Sequence, residues 1–526
     1  MYHNLLALLA INFLLLGPRL LGHSTQPIWV ALEALWLIGL LSLVGRRWRS
    51  RLAVVASVAL GLVLLLAGAD QLIQLSLGRP FNPWLDRALL RPAYHLLVDN
   101  VGWGVTWLLL AAGSAAAVAC LWLIARALAR VRPLTLPLRA RRAALVAWLA
   151  VFPALPELAD HTRTLATPSL TLLAEHWQQG RETRRALSDF RRQLKTSDGP
   201  RTRPLPGLAG RDVTLAFIES YGISALTDAR YAATLKPRLA DLQARFAATG
   251  LHVASATVTA PVQGGQSWLA HASVLSGLWL TSQWHYDLLL SAGHSTLIDD
   301  FSATGHGTLA IMPAITAPWP AGRQLGYQRI LAAADMPYRG PALNWVTMPD
   351  QFTWRHFSRV RRAQPQPLFT ELAMISSHAP WTPIVPLVDW EKVGNGRIFR
   401  AWADAGPTPE ALWQDSARVR DHYARSLDYA LAAMGGFAER YLGADELLIV
   451  LGDHQPAPLI TGEDASRDVP IHVISGDPAL IERFVAAGFA PGLEPPAGPA
   501  RWRQDELRGL LHRLFGGEAT MPVAAQ

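Results

Sequence analysis

Long apolar runs fill the first 160 residues, at about 4–22, 27–44, 52–69, 103–125 and 143–159. Most approach the roughly 18 to 20 residues that a helix needs to cross a bilayer, so the pattern predicts five transmembrane helices. The first has no basic leader and no small-residue cleavage site before Pro18, and it reads as a retained helix rather than a signal peptide. Pro153 and Pro156 interrupt the fifth. The pattern then changes. Residues 161–199 read as a polar helical connector, and the Pro- and Gly-rich stretch from Pro200 to Gly210 marks a domain boundary. Beyond it, short β-rich runs alternate with helical patterns: Val213 to Ile218, Leu251 to Val258, Thr308 to Met312, Glu371 to Ile375, Glu446 to Leu451 and Val469 to Ser475. This alternation predicts an α/β domain with a largely parallel central sheet, closed by an amphipathic helix from Gln504 to Phe515. The expected organisation is a five-helix transmembrane bundle (1–160), a connector (161–210) and a catalytic-type α/β domain (211–526).

Charge sharpens the topology. The 526 residues are 51% hydrophobic and 17% charged, with a net charge of +8. Residues 1–160 contain 14 Arg against 6 acidic residues, a net of +8, so the remaining 34 basic and 34 acidic residues cancel. The positive excess lies wholly in the apolar part, which excludes a nucleic-acid-binding domain. Arg46, Arg47, Arg49 and Arg51 read as one basic loop. Arg126, Arg130, Arg132, Arg139, Arg141 and Arg142 read as another. Both loops are cytoplasmic only if the N-terminus is inside, which places the α/β domain outside the cytoplasm. The expectation is an integral inner-membrane protein with its large domain in the periplasm. Glu33 and Asp70 fall in or beside the spans, where ionisable groups are functional candidates, although pairing within the bundle or an interfacial position accounts for them as well. The stretch from Arg79 to Asn100 has Trp84, Leu85, Ala88, Leu89 and Leu96 at helical spacing and reads as a segment lying on the outer leaflet or as a packed loop. The single cysteine, Cys120, excludes an internal disulfide and a Cys-based zinc cluster.

Ligands of open α/β sheets bind beyond the carboxyl ends of the strands. Val213 to Ile218 runs into Glu219, Glu446 to Leu451 into Gly452, Asp453 and His454, and Glu371 to Ile375 into Ser376, Ser377 and His378. Leu251 to Val258 leads through Gly264, Gly265 and Gln266 to Ser267 and a helix-like stretch, Trp268 to Leu278. Four distant segments thus deliver carboxylates, imidazoles and a hydroxyl to one sheet edge. Two carboxylates and an imidazole leave a divalent ion with an open position, suited to Mn²⁺, Mg²⁺ or Zn²⁺. Ser267 would fill that position as an activated nucleophile, with the helix N-terminus favouring the negative charge. The parts fit transfer at a phosphate or sulfate ester.

The order of Glu219, Ser267, His378 in SSHAPW, and Asp453–His454 in LGDHQP resembles the alkaline phosphatase and sulfatase superfamily. With five membrane helices ahead of it, the chain resembles more narrowly the lipoteichoic acid synthase and phosphoglycerol transferase branch. The resemblance implies a sulfatase-like fold and one ion, commonly Mn²⁺, held by Glu219, Ser267, Asp453 and His454, with His378 binding the transferred phosphate. It also implies that Ser267 attacks a membrane phospholipid donor, that diacylglycerol leaves, and that a glycan or lipid acceptor takes the phosphoglycerol. The branch typically has Thr where this chain has Ser267. Trp319 and Arg323 only loosely resemble its head-group site, whose His and Asp are missing where Met312 and Pro313 follow the strand directly. The Cys or Ser, then Pro, then Arg signature of true sulfatases is absent from the sequence.

His271, four residues after Ser267 and on the same helical face, reads as a supporting or proton-transfer residue or as packing; His472, inside the last strand, reads as a core or second-site histidine. Trp268, Trp279, Trp284, Trp319, Trp345, Trp354 and Trp381 are candidates for an acceptor glycan site, against the simpler reading of core and interface residues. The rival functions are a phosphoethanolamine transferase, a hydrolase of the sulfatase or phosphodiesterase type, and a non-catalytic envelope scaffold.

Overall fold

The computed structural model describes residues 2–21, 30–160, 164–196 and 202–517. The stretch at 197–201 and the tail beyond Gly517, both touched by the sequence expectations, lie outside these. The chain divides into two compact units, Met1–Gln74 with Arg79–Ser188, and Leu75–Gly78 with Asp189–Gln526.

Among the described residues of the first unit, three helices are long and apolar enough to cross a membrane: Arg46–Leu77, Trp103–Ala129 and Leu138–Ala159. Two shorter apolar helices, Tyr2–Gly17 and Leu32–Leu43, accompany them. The arginines expected in loops are mostly helical. Arg46, Arg47, Arg49 and Arg51 occupy the opening turns of Arg46–Leu77, Arg126 lies in Trp103–Ala129, and Arg139, Arg141 and Arg142 lie in Leu138–Val151. Arginine is a good helix former whose apolar stem extends along the helix, so a basic run need not end one. Pro153 and Pro156 do not end the last helix either. They fall in a 3₁₀ turn, Phe152–Ala154, and the first turn of Leu155–Asp160, where the missing N–H has no intrahelical partner to lose.

Glu33 and Asp70, the two acidic residues singled out from the sequence, both have structural partners. Glu33 Oε1 accepts the backbone N–H groups of Ser169 and Leu170 at 2.9 and 3.2 Å, in the first turn of the helix Pro168–Thr196, where a carboxylate complements the dipole. Asp70 accepts the Phe81 N–H at 2.7 Å and lies 3.8 Å from His176. The segment after Arg79 forms a turn around buried Asn82 and Asp86, followed by the helix Leu90–Val101.

The second unit is built on a nine-stranded sheet. Its strands are β1 (Asp212–Ile218), β2 (His252–Thr259), β3 (Gly307–Met312), β4 (Arg329–Ala332), β5 (Leu368–Met374), β6 (Glu446–Gly452), β7 (Asp468–Ser475), β8 (Ala490–Pro491) and β9 (Trp502–Arg503). The order is β8-β2-β7-β6-β1-β5-β3-β4, with β9 beside β2. All six β-rich runs of the sequence are strands. The sheet is mixed, with five parallel and three antiparallel pairings. β6, β1, β5, β3 and β4 are mutually parallel, whereas β7 runs antiparallel to both β6 and β2. The β6–β7 connection contains only a four-residue helix, Pro458–Thr461, too little to carry the chain back across the sheet as a parallel crossover requires. Because β2 opposes β7, it points the same way as β6, and the carboxyl ends of β1, β2, β3, β5 and β6 share one edge.

Alternation along β1 feeds two cores. Val213, Leu215 and Phe217 pack on one sheet face and Ala216 and Ile218 on the other, each with helices layered over it. The site therefore rests on a sheet buried on both faces.

Candidate active site

Beyond Ile218 the chain turns sharply. Ser220 has φ 56°, and this left-handed step aims its N–H at Asp453 Oδ1, 2.8 Å away. At the end of β6, Gly452 passes so close to Tyr221 that a Cβ would overlap the Tyr221 carbonyl. Only glycine lets the two strand ends lie side by side there. Asp453 Oδ1 also accepts the His454 N–H at 2.7 Å, which leaves Oδ2 facing inward. His454 Nδ1 lies 2.8 Å from the Gln455 carbonyl. A carbonyl only accepts, so Nδ1 carries the proton and Nε2 presents its lone pair.

Ser267 arrives from β2 through a loop whose last three residues all have positive φ: Gly264 at 72°, Gly265 at 147° and Gln266 at 65°. Glycine tolerates the first two values, and Gln266 forms the N-cap of the helix Ser267–Ser276. Ser267 Oγ lies 3.4 Å from Glu219 Oε2 and 3.2 Å from His454 Nε2. One ligand atom each from Glu219, Asp453 and His454 falls within 4.8 Å of the others. His454 Nε2 is 3.8 Å from Glu219 Oε1 and 3.6 Å from Asp453 Oδ2.

Electrostatics fit a cation here. Burial, and then the Glu219 charge, push Asp453 up to about 6. Burial acts on Glu219 in the same direction, but His378, His454 and the Ser220 hydroxyl outweigh it and hold Glu219 below its ordinary value. His454 also loses to burial and gains from Asp453 and Glu219, ending raised. A buried and a half-buried carboxylate, an imidazole lone pair and a nearby hydroxyl form a donor set suited to a divalent ion.

The site opens on a cavity of about 520 Å³ between the sheet and the Ser267 helix, lined by Glu219, Ser267, His378 and Asp453 together with mainly apolar side chains. No Lys or Arg is among its lining residues. His378 faces it from the turn after β5, with Nδ1 2.5 Å from the Ala379 carbonyl. Trp319 lines the wall, whereas Arg323, in the helix Pro320–Gln324, is exposed and outside the lining. His271 lies deeper, stacked on Phe217 with ring centroids 3.7 Å apart and paired through Nδ1 with Glu371 Oε1 at 2.8 Å. His472 is separate. It is fully buried in the sheet between Ser255 and Tyr221, at 2.8 and 3.1 Å, and burial drives it down to about 3, which fixes it as a neutral core histidine.

Two residues escaped the sequence reading. Glu371, 1% exposed, accepts from His271 and from the Tyr327 hydroxyl. A lone Glu inside the apolar run of β5 was the available signal. Asp350, fully buried, accepts the N–H groups of Ile375 and Ser376 at 2.9 and 3.0 Å. It thereby holds the turn in which Ser377 donates to the Glu219 carbonyl at 2.6 Å and His378 follows. Its position in a helix after a loop gave no sequence signal.

No protein-family model matches the chain, and no curated protein matches it. Among solved structures it is similar to the lipoteichoic acid synthase LtaP from Listeria monocytogenes, at 11% identity and a TM-score of 0.39, covering 60% of this chain and 74% of that one. It is also similar to the integral membrane lipooligosaccharide phosphoethanolamine transferase EptA from Neisseria meningitidis, at 13% identity and a TM-score of 0.46, covering 87% of this chain and 84% of that one. A third is the phosphoglycerol transferase GacH from Streptococcus pyogenes, in complex with sn-glycerol-1-phosphate, at 13% identity and a TM-score of 0.35, covering 62% and 90%.

Proposed function

We propose that this protein is a membrane-anchored, metal-dependent phosphotransferase that moves a phosphoglycerol group from a phospholipid to an extracytoplasmic glycan or lipid acceptor. The observation that carries this reading is the approach of Ser267 Oγ to Glu219 and His454 at the mouth of the cavity. A divalent ion held by Glu219, Asp453 and His454, Mn²⁺ by preference and otherwise Mg²⁺ or Zn²⁺, would lower the pKa of the Ser267 hydroxyl and offset phosphate charge. Ser267 Oγ attacks the phosphorus as the P–O bond to diacylglycerol breaks and the Ser267 proton passes to the leaving diacylglycerol oxygen, giving a phosphoglycerol diester of Ser267. An acceptor hydroxyl then attacks the same phosphorus, the Ser267 Oγ–P bond breaks, and its proton returns to Ser267. His378 binds the transferred phosphate. The five apolar helices, three of them long enough to span, anchor the enzyme in the inner membrane, with the N-terminus cytoplasmic and the catalytic domain periplasmic.

One observation favours phosphoethanolamine as the alternative group. The cavity has the aromatic rings of Trp319 and Tyr286 in its wall and no Lys or Arg among its lining residues, a composition that accommodates an ammonium group. The test is release of labelled diacylglycerol by the detergent-purified chain with Mn²⁺, from phosphatidylglycerol and phosphatidylethanolamine separately, beside Ser267→Ala. Faster release from one donor assigns the head group. Sustained release beyond one equivalent per enzyme without any acceptor would favour a hydrolase, and no release from either donor by folded, metal-loaded protein would favour the scaffold reading.

A further inference from the structure

Tryptophan is distributed unevenly over the catalytic unit. Trp354, Trp381 and Trp390 are buried, as large aromatic side chains normally are. The large hydrophobic side chains that this unit exposes, among its described residues, are Leu75, Trp268, Trp345, Leu387, Trp413 and Leu459. Each of the three tryptophans is tied to the site. Trp268 follows Ser267 and lines the cavity. The Trp345 ring lies 6.4 Å from that of His378, at an interplanar angle of 20°. The Trp413 ring stacks on Trp381 at 5.7 Å and 5°. Trp381 in turn donates its backbone N–H to the His378 carbonyl and its Nε1–H to the Ser377 carbonyl.

Two of these rings are held rather than loosely exposed. Trp268 Nε1–H donates to Gln283 Oε1 at 3.0 Å, and Trp413 Nε1–H to the Pro380 carbonyl at 3.4 Å. With the indole N–H engaged by protein, the ring has an apolar face left to offer. Polar neighbours flank each one: Gln283, itself bonded to Asp287, beside Trp268; exposed Asn344 beside Trp345; exposed Gln414 beside Trp413. A pyranose ring matches this arrangement, because it has one face of C–H groups and a rim of hydroxyls. An acyl chain or a bilayer would instead require continuous apolar surface.

We propose that Trp345 and Trp413, with Trp268 at the mouth of the cavity, form a platform that binds pyranose units of a neutral glycan acceptor beside the reaction centre. The proposal rests on the position of the reaction centre argued above, and it selects glycan over lipid as the acceptor. Aromatic faces already held, as those of Trp268 and Trp413 are, bind with little loss of side-chain freedom, so the platform supplies affinity near the site without contacting the reacting phosphorus.

Hydroxyl-radical footprinting of the full detergent-purified chain tests this independently of turnover. The probes are maltohexaose, chitohexaose and, separately, phosphatidylglycerol vesicles. The expected result is at least threefold slower oxidation of Trp345 and Trp413 with one of the oligosaccharides, in wild type and equally in Ser267→Ala. Vesicles should leave both rates unchanged. In Trp345→Ala the protection of Trp413 should weaken. Trp345→Phe should restore part of the protection. Protection by vesicles alone would overturn the proposal in favour of a membrane contact, and the absence of protection by every probe would overturn it outright. Protection without any diacylglycerol release would leave the platform standing and sink the transferase reading instead.

Discussion

The cavity carries two groups of acid and histidine side chains that differ in how the protein satisfies them. At its mouth, Asp453 uses one oxygen on backbone N–H groups and turns the other inward, and His454 Nε2, Glu219 and Ser267 Oγ converge on the same space. In its wall, Glu371 is saturated, with one oxygen on His271 and the other on Tyr327. Asp350 is intermediate. Oδ1 accepts two backbone N–H groups, and Oδ2 has no hydrogen-bond partner among the described residues. Buried carboxylates satisfied by the protein tie elements together, whereas those left with convergent lone pairs are built for a ligand.

The strongest way to break this comparison is at the mouth. Ser267→Ala and Asp453→Ala are each expected to lower donor turnover by about 10³-fold or more, as loss of a nucleophile or of metal-assisted charge stabilisation does. Intact-mass measurement after exposure to donor should show a phospho-adduct in wild type and none in Ser267→Ala. Comparable turnover by Ser267→Ala would remove Ser267 from the chemistry.

Metal removal separates the same residues by another route. Chelation should abolish turnover and lower the melting temperature. At a hundredfold excess over Kd, a bound ion contributes about 2.7 kcal/mol to the folded state. Re-addition of Mn²⁺ should raise the melting temperature of wild type and of Ser267→Ala, which keeps three ligands, but not of Asp453→Ala. A metal-induced shift in Asp453→Ala would contradict the assigned ligand set.

Breaking the wall should act on stability instead. Glu371→Ala leaves His271 and the Tyr327 hydroxyl buried without their acceptor and is expected to cost about 3 kcal/mol, measured by chemical denaturation. The Mn²⁺-induced shift in melting temperature should survive. Its loss would mean that the two groups act as one.

Asp350 gives the smallest and least intuitive effect. Burial first, and then the Glu219 charge, raise its carboxyl from 3.8 to about 6, despite the backbone N–H groups that favour its ionised form. The folded protein thus binds this proton more tightly than the unfolded chain. The contribution of Asp350 to stability is greatest below about pH 4, falls as pH rises to about 6, and is flat above that. Asn keeps an oxygen for the two N–H groups and removes the charge. Asp350→Asn should therefore raise the melting temperature at pH 7, by at most about 3 kcal/mol of stability, and flatten its pH dependence between 4 and 6. An unchanged slope would show that Asp350 does not titrate there.

Much of this arrangement was legible before any coordinates. Apolar runs bounded by Gly and polar residues located the strands, and the residues immediately after them, Glu219, His378, Asp453 and His454, needed no tertiary information to be singled out. The glycine pair before Ser267 announced a turn and a helix start, and the structure adds that Gln266 shares the left-handed conformation. The arginine runs misled at a local level, because a basic run before an apolar one reads equally as a loop or as the opening turns of a helix. Arg323 misled for a different reason, since proximity in sequence to Trp319 did not give it the same exposure.

The sequence by itself determined which segments are apolar enough for a membrane, which form strands, and which chemical groups stand at strand ends, because backbone preference and hydrophobic period are local properties. Only the tertiary structure decided that β7 runs against its neighbours, that Glu371 meets His271 across 100 residues, and that Trp345 and Trp413 face outward while Trp354 is buried. Those outcomes depend on which surfaces pack together, and a side chain's burial and partners are set by contacts that no local window of sequence contains.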